Sequence, residues 1–201
     1  MKHVTLTLAL FSFLFSSLSF AEENMDGKLV VYSSTIKELM GVLKLELKAA
    51  MEKGGAVTAL EVCKEKASQI STKISKQAGF RIGRTSLKPR NANNTPDEWE
   101  KKVLSAFETR KAEGESPKKL EFYQVVENEG QRQLRYMKAI PTRGVCLECH
   151  GSTGSHIVTE DTDYIDEAVQ KKLKELYPND NATDFKVGDL RGAFSITDNL
   201  D

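Results

Sequence analysis

Apolar residues recur at helical spacing through the first part of the chain. Between residues 34 and 53, Ile36, Leu39, Met40, Leu43, Leu47, Ala50 and Met51 fall on one face, and Gly54-Gly55 ends the run. From residue 56 to about 77 a second stripe of Val57, Leu60, Cys63, Ala67, Ile70 and Ile74 predicts another helix closed by Gly79, with Cys63 facing inward. Residues 80–87 alternate and read as a strand, and Pro89-Arg90-Asn91-Ala92-Asn93-Asn94 is loop chemistry. Thr95-Pro96-Asp97-Glu98 then opens a helix: Thr95 serves as N-cap, Pro96 takes the first helical position and Glu98 completes a capping box. Trp99, Val103, Leu104 and Phe107 form its buried face to about residue 112. Residues 120–126 and 133–140 flank Asn128-Glu129-Gly130 as a β-hairpin. A helix over 164–176, the turn Tyr177-Pro178-Asn179-Asp180 and a strand over 190–196 complete the chain.

This order implies an α+β domain, a small antiparallel sheet flanked by helices with a long helical N-terminal region. Ahead of it stand Lys2, His3 and an apolar run over residues 4–20 that ends in Ser19-Phe20-Ala21, a small-x-small pattern suited to signal-peptidase cleavage. The run is short for a membrane anchor and broken by Ser12, Ser16, Ser17 and Ser19, so residues 1–21 are expected to be a signal peptide and the mature chain a periplasmic protein not embedded in a membrane. Residues 22–201 are expected to form a single domain. Loss of Lys2 leaves 28 basic against 29 acidic residues. No global field then points to nucleic acid, and any charged docking surface must be local.

The chemistry concentrates at Cys146-Leu147-Glu148-Cys149-His150. Two thiols at this spacing bind the vinyl groups of a haem, and the histidine directly after the second is carried onto the iron. A thioredoxin-like pair has no use for the histidine and is expected near a βαβ pattern. A structural zinc site needs a fourth ligand from a second cluster, and no second Cys-x-x-Cys or His-x-x-x-His exists here. Covalent haem attachment takes place outside the cytoplasmic membrane in bacteria, so the leader and the motif support one another. The chain is therefore expected to be a c-type cytochrome with one covalent haem c. Cys63 is then the one cysteine left, and no intramolecular disulfide is possible.

Several further segments make the chain resemble the Tll0287-like haem domain family. They are Arg84-Thr85-Ser86-Leu87-Lys88-Pro89-Arg90-Asn91, Thr95-Pro96-Asp97-Glu98-Trp99-Glu100, Ala139-Ile140-Pro141 leading into the haem motif and Gly151, Tyr177-Pro178, and Gly188-Asp189-Leu190-Arg191-Gly192-Ala193. They run in family order across almost the whole mature chain, with Ala92 standing where the family pattern often has proline. The resemblance implies a PAS-like α+β fold, one covalent haem c and a cysteine as second axial ligand, for which the matching residue is Cys63.

The residues themselves leave the second ligand open. Ligation would give Cys63 a purpose, because a metal-bound thiolate is no longer a free exported thiol. The bland alternative is a small buried hydrophobe. His156, six residues past His150, would have to wrap around the porphyrin edge, and Met40, Met51 and Met137 sit at spacings more typical of core filler. Arg84, Arg90 and Arg191 are candidates to pair with haem propionates, against the alternative of solvated surface arginines. Trp99, Phe107, Phe122, Tyr123 and Tyr136 are core by default. Nothing marks a nucleophile, a carboxylate pair or a second metal site, so the expected role is low-potential electron transfer with a redox partner and not catalysis. Redox or gas sensing through a separate signalling partner is the alternative, and a homodimer through the first helix fits either.

Overall fold

The computed structural model describes residues 25–128, 130–153 and 164–200. The expected signal peptide and His156 lie outside the described residues. The long N-terminal element α1 spans Met25–Ala78 and consists of two helical arms broken at Gly54 (φ −166°, ψ 27°) and Gly55 (φ 68°, ψ −163°). Gly55 takes the left-handed value that a side chain resists, so the glycine pair stops one helix and starts the next as the sequence predicts. The first arm begins at Met25 instead of residue 34. Met25, Leu29, Tyr32, Ile36 and Leu39 continue one apolar period, and Tyr32 is buried because its hydroxyl donates to Asp198 (2.6 Å), an acid that Lys28 also pairs.

Four antiparallel strands follow the order β1-β4-β3-β2: β1 Arg81–Thr85, β2 Glu121–Asn128, β3 Gln131–Pro141 and β4 Leu190–Asn199. The hairpin is longer than expected, pairing Phe122 with Met137 and Asn128 with Gln131. Side chains alternate across the sheet. On one face Leu134, Tyr136, Phe194, Ile196 and Ile82 meet Tyr32, Ile36, Leu39 and Ile74 of α1. On the other, Met137, Ala139 and Ala193 meet Val103, Leu104 and Phe107 of α2, Glu98–Ala112. The result is helix, sheet, helix, the α+β fold anticipated.

The start of α2 lies two residues later than its sequence signal suggests. Thr95 is spent closing a 3-10 turn, its N–H donating to Ala92 O (3.0 Å), and Asp97 is the N-cap. Asp97 Oδ1 accepts from Glu100 N (2.8 Å) while Glu100 Oε2 accepts from Asp97 N (3.0 Å), a capping box displaced toward the C-terminus from the expected Thr95 and Glu98. Beside this layered body, α3 (Gly144–His150) and α4 (Glu167–Leu176) pack along the second arm of α1. Leu60 there forms a small core with Ile165, Val169 and Leu173.

Candidate functional site

The pentapeptide motif is the C-terminal part of α3, a helix that simple periodicity did not reveal. It places Cys146, Cys149 and His150 at i, i+3 and i+4, on one face. The chain is delivered there rigidly: after β3, Thr142 N donates to Asp189 O (2.7 Å) and Gly188 N donates to Thr142 O (3.0 Å). Leu147 is buried with Ala182 and Phe185. Cys149 packs with Ala56, Val57 and the Leu60 core, where burial pushes its thiol up to about 11. Cys146 is half-buried and its Sγ accepts from Arg143 N (3.4 Å). Among the described residues no three His, Cys, Asp or Glu side chains converge as a bare metal ion would require.

His150 is the most completely specified group. Its Nδ1 lies 2.7 Å from Ala182 O, and because a carbonyl only accepts, Nδ1 carries the proton and Nε2 keeps its lone pair. Burial, with Arg191 and Arg90 nearby, holds its pKa well below the ordinary range, so the ring is neutral. Charge state and tautomer are those with which imidazole ligates a metal through Nε2. The ring stands edge-on to Phe185, with centroids 6.2 Å apart.

The segment that carries Ala182 is sewn to α3. Phe185 N donates to His150 O (3.0 Å), Asp184 N to Gly151 O (2.8 Å), and Asp180 Oδ1 accepts from Ala182 N (2.8 Å). Arg90 is engaged in the same place, with Asp180 and with the carbonyls of Cys149 and Ala182. Its Nε and Nη2 are thus occupied by protein groups. Asp180, Ala182 and Phe185 went unrecognised from sequence. Only the turn signal at Tyr177-Pro178-Asn179-Asp180 pointed here.

Arg191 on β4 donates through Nη1 to Ser86 Oγ (3.1 Å) and Lys88 O (3.2 Å), lies over the Phe185 ring, and places Nε 3.4 Å from His150 Nε2. Burial pushes its pKa down to about 10. The Arg84 guanidinium on β1 has its pKa lowered first by burial, against the pull of Cys63 and Tyr177, and makes no side-chain hydrogen bond or ion pair among the described residues.

Cys63 requires a correction. The stripe to which it belongs is real, since Leu60, Ala67 and Ile74 are buried, yet Cys63 itself is exposed. At that turn the face of α1 looks past the sheet toward the α3 side. Enough protein surrounds the thiol that burial raises its pKa, opposed by Arg84 and Arg90, and its charge is felt by Cys149 and Tyr177. Cys63, Arg84, Arg90, Cys149 and Tyr177 therefore share one neighbourhood. Other expected candidates lie elsewhere: Met137 is fully buried in the α2 layer, Met40 packs in the α1 layer, and Phe107 and Tyr136 are core. Trp99 packs near Phe122 and Arg135, while Phe122 and Tyr123 are exposed on the outer strand.

The position of Arg191 depends on its neighbour. Gly192 has φ 152°, and a Cβ there would sit 2.2 Å from Thr85 O and 3.0 Å from Ser86 Cβ. This approach lets Ser86 Oγ donate to Arg191 O (2.8 Å). Gly192→Ala should lower stability by about 3 kcal/mol through backbone strain and overpacking, read as a lower urea midpoint at unchanged slope.

The family model described as Tll0287-like matches residues 17–198 of the chain. A solved structure described as the crystal structure of the cyanobacterial heme-protein Tll0287 superposes with a TM-score of 0.59 at 21% identity, over 90% of this chain and 97% of that one. At that identity the likeness speaks for the fold. No curated protein matches the chain.

Proposed function

The chain belongs to the Tll0287-like family, and on that premise we propose that it is an exported carrier of one haem c that passes single electrons at low potential. The observation that carries this reading is His150, held neutral with Nδ1–H on Ala182 O and Nε2 left to ligate. Cys146 and Cys149 lie on the same helix face and would hold the group, each by addition of its S–H across one vinyl double bond with no net oxidation. The similar solved structure is that of a heme protein by its description. The haem supplies a reversible one-electron couple.

The residues fit such a group. Arg84 offers a guanidinium without an acid partner among the described residues, the complement of a propionate, and Arg191 stands beside His150 to offer a second. The long contact of Arg191 with His150 Nε2 uses the lone pair that iron would take, so a bound iron would replace it and leave Nε of the guanidinium for another acceptor. Cys63 is accessible from the α3 side and serves as the second ligand, whose electron donation lowers the potential. The apolar run over residues 4–20 directs export, and among the described residues no helix is long and apolar enough to cross a membrane. Electrons pass to and from protein partners.

The test is co-expression with a cytochrome c maturation system. Wild type should keep haem through denaturing extraction and give the pyridine haemochrome band of a doubly thioether-linked haem. Cys146→Ala with Cys149→Ala should lose both. A wild-type chain that releases its haem on extraction would overturn covalent attachment.

A further inference from the structure

Arg90 lies in the loop between β1 and α2, yet its side chain is only 9% exposed and faces Asp180, which is 10% exposed. Its Nε donates to Asp180 Oδ2 (3.0 Å), and its Nη2 donates to two carbonyls, Cys149 O (2.6 Å) and Ala182 O (3.0 Å). Those acceptors belong to the parts that fix the His150 ring. Cys149 is in the last turn of the helix that carries the ring. Ala182 O is the atom that accepts its Nδ1–H, and Asp180 holds Ala182 N. Arg90 makes no direct bond to His150.

We propose that Arg90 is a positioning residue for His150. It ties the final turn of α3 and the Ala182 carbonyl to one rigid guanidinium, so that the imidazole keeps the Nδ1–H tautomer and a single ring orientation with Nε2 presented. The inference rests on the reading of His150 as an iron ligand. The planar fork explains the choice of residue. Bridging two carbonyls on different segments while pairing a carboxylate takes several donors in fixed directions, which a lysine ammonium on a flexible stem does not supply. Outer groups that orient a ligating histidine also tune the metal. If the Arg90–Asp180 pair only fastened a loop to the body, its loss would change stability and leave the ring alone.

The experiment compares haem-loaded full-length wild type, Arg90→Lys and Phe107→Ala, the last being a core truncation in the α2 layer that destabilises without touching α3. Arg90→Lys should broaden and shift the ferric low-spin EPR g-values and raise the midpoint potential, because an imidazole without a fixed N–H acceptor donates less charge. Phe107→Ala should leave both as in wild type. Unchanged g-values and potential in Arg90→Lys, or equal shifts in the two variants, overturn the proposal. Should Arg90→Lys fail to fold, reduced wild type decides. By NMR its His150 Nδ1 proton should exchange at least about tenfold more slowly than an exposed imidazole N–H, and fast exchange overturns the proposal. Absence of covalent haem in wild type would instead refute the haem reading itself, a separate outcome seen before any variant is made.

Discussion

Replacing Cys63 by alanine in the haem-loaded chain should abolish a His/thiolate low-spin signature and raise the reduction potential by on the order of 0.1 V, a fraction of the range that axial ligands span. Cys63 is exposed, on the face of α1 that shares its surroundings with Cys149, Arg84 and Arg90. Burial disfavours its thiolate more than the two guanidiniums favour it, so the free sulfur is held as a thiol, and the charge of a bound metal would be needed to draw off its proton. Covalent attachment should survive the substitution, because Cys146 and Cys149 are untouched. Absorption and low-temperature EPR spectra of the two proteins, with a redox titration of each, check the prediction. Identical spectra would make Cys63 a bystander and turn the search to Met51 and His156. Carbon monoxide binding to the reduced wild type, with a change in affinity for its partner, would show that Cys63 is displaced readily and would favour sensing over electron transfer.

How much of this was legible in the sequence depends on the range of the interactions involved. The apolar runs of β3 and β4 and the stripe on α1 belong to elements that are buried over much of their length, and a local pattern reads them well. The glycine break at Gly54-Gly55 is equally local. The true start of α1 was missed because Tyr32 looks polar at its tip. Its burial depends on Asp198, in the last strand of the sheet. The cap of α2 falls on Asp97 and Glu100 and not on the expected Thr95 and Glu98, because Thr95 closes the preceding 3-10 turn. Cys63 shows the limit of periodicity, which gives the face and not what stands opposite it.

The site divides in the same way. Cys146, Cys149 and His150 are a local constellation and were readable as one. The frame around them is built largely from carbonyls, those of Cys149, His150, Gly151 and Ala182, and a carbonyl leaves no mark on residue identity. Arg90 and Asp180 are identifiable residue types, but what pairs them is the return of the chain after α4, at a separation no spacing rule covers. Arg84 and Arg191 fall on β1 and β4, and both lie near enough to His150 for their charges to bear on its ring.

Glu100→Ala should be the most destabilising single truncation outside the site, costing about 3–5 kcal/mol, as expected when one member of a buried ion pair is removed. Only 3% of Glu100 is exposed. Its Oε2 caps Asp97 N (3.0 Å), and its Oε1 accepts from Ser195 Oγ (2.6 Å) and lies 3.4 Å from Arg135 Nη2. The alanine variant would leave Arg135, 8% exposed, with Asp97 as its remaining acid at 2.7 Å and would strip Ser195 of its acceptor beneath α2. Part of the loss is the capping box, worth about 1 kcal/mol in the usual case. The remainder is charge and hydrogen bonding under the helix. Glu100→Gln separates them: it keeps an acceptor for Ser195 or for the cap and removes the charge, so it should cost less than the alanine. The measurement is the urea midpoint of each variant, followed by the haem spectrum of its folded form. Because Glu100 bonds to β4, to Arg135 and to its own cap but not to α3, the spectrum should match wild type. A spectral change would mean that the α2 layer sets the position of β4, and through Arg191 on that strand reaches His150.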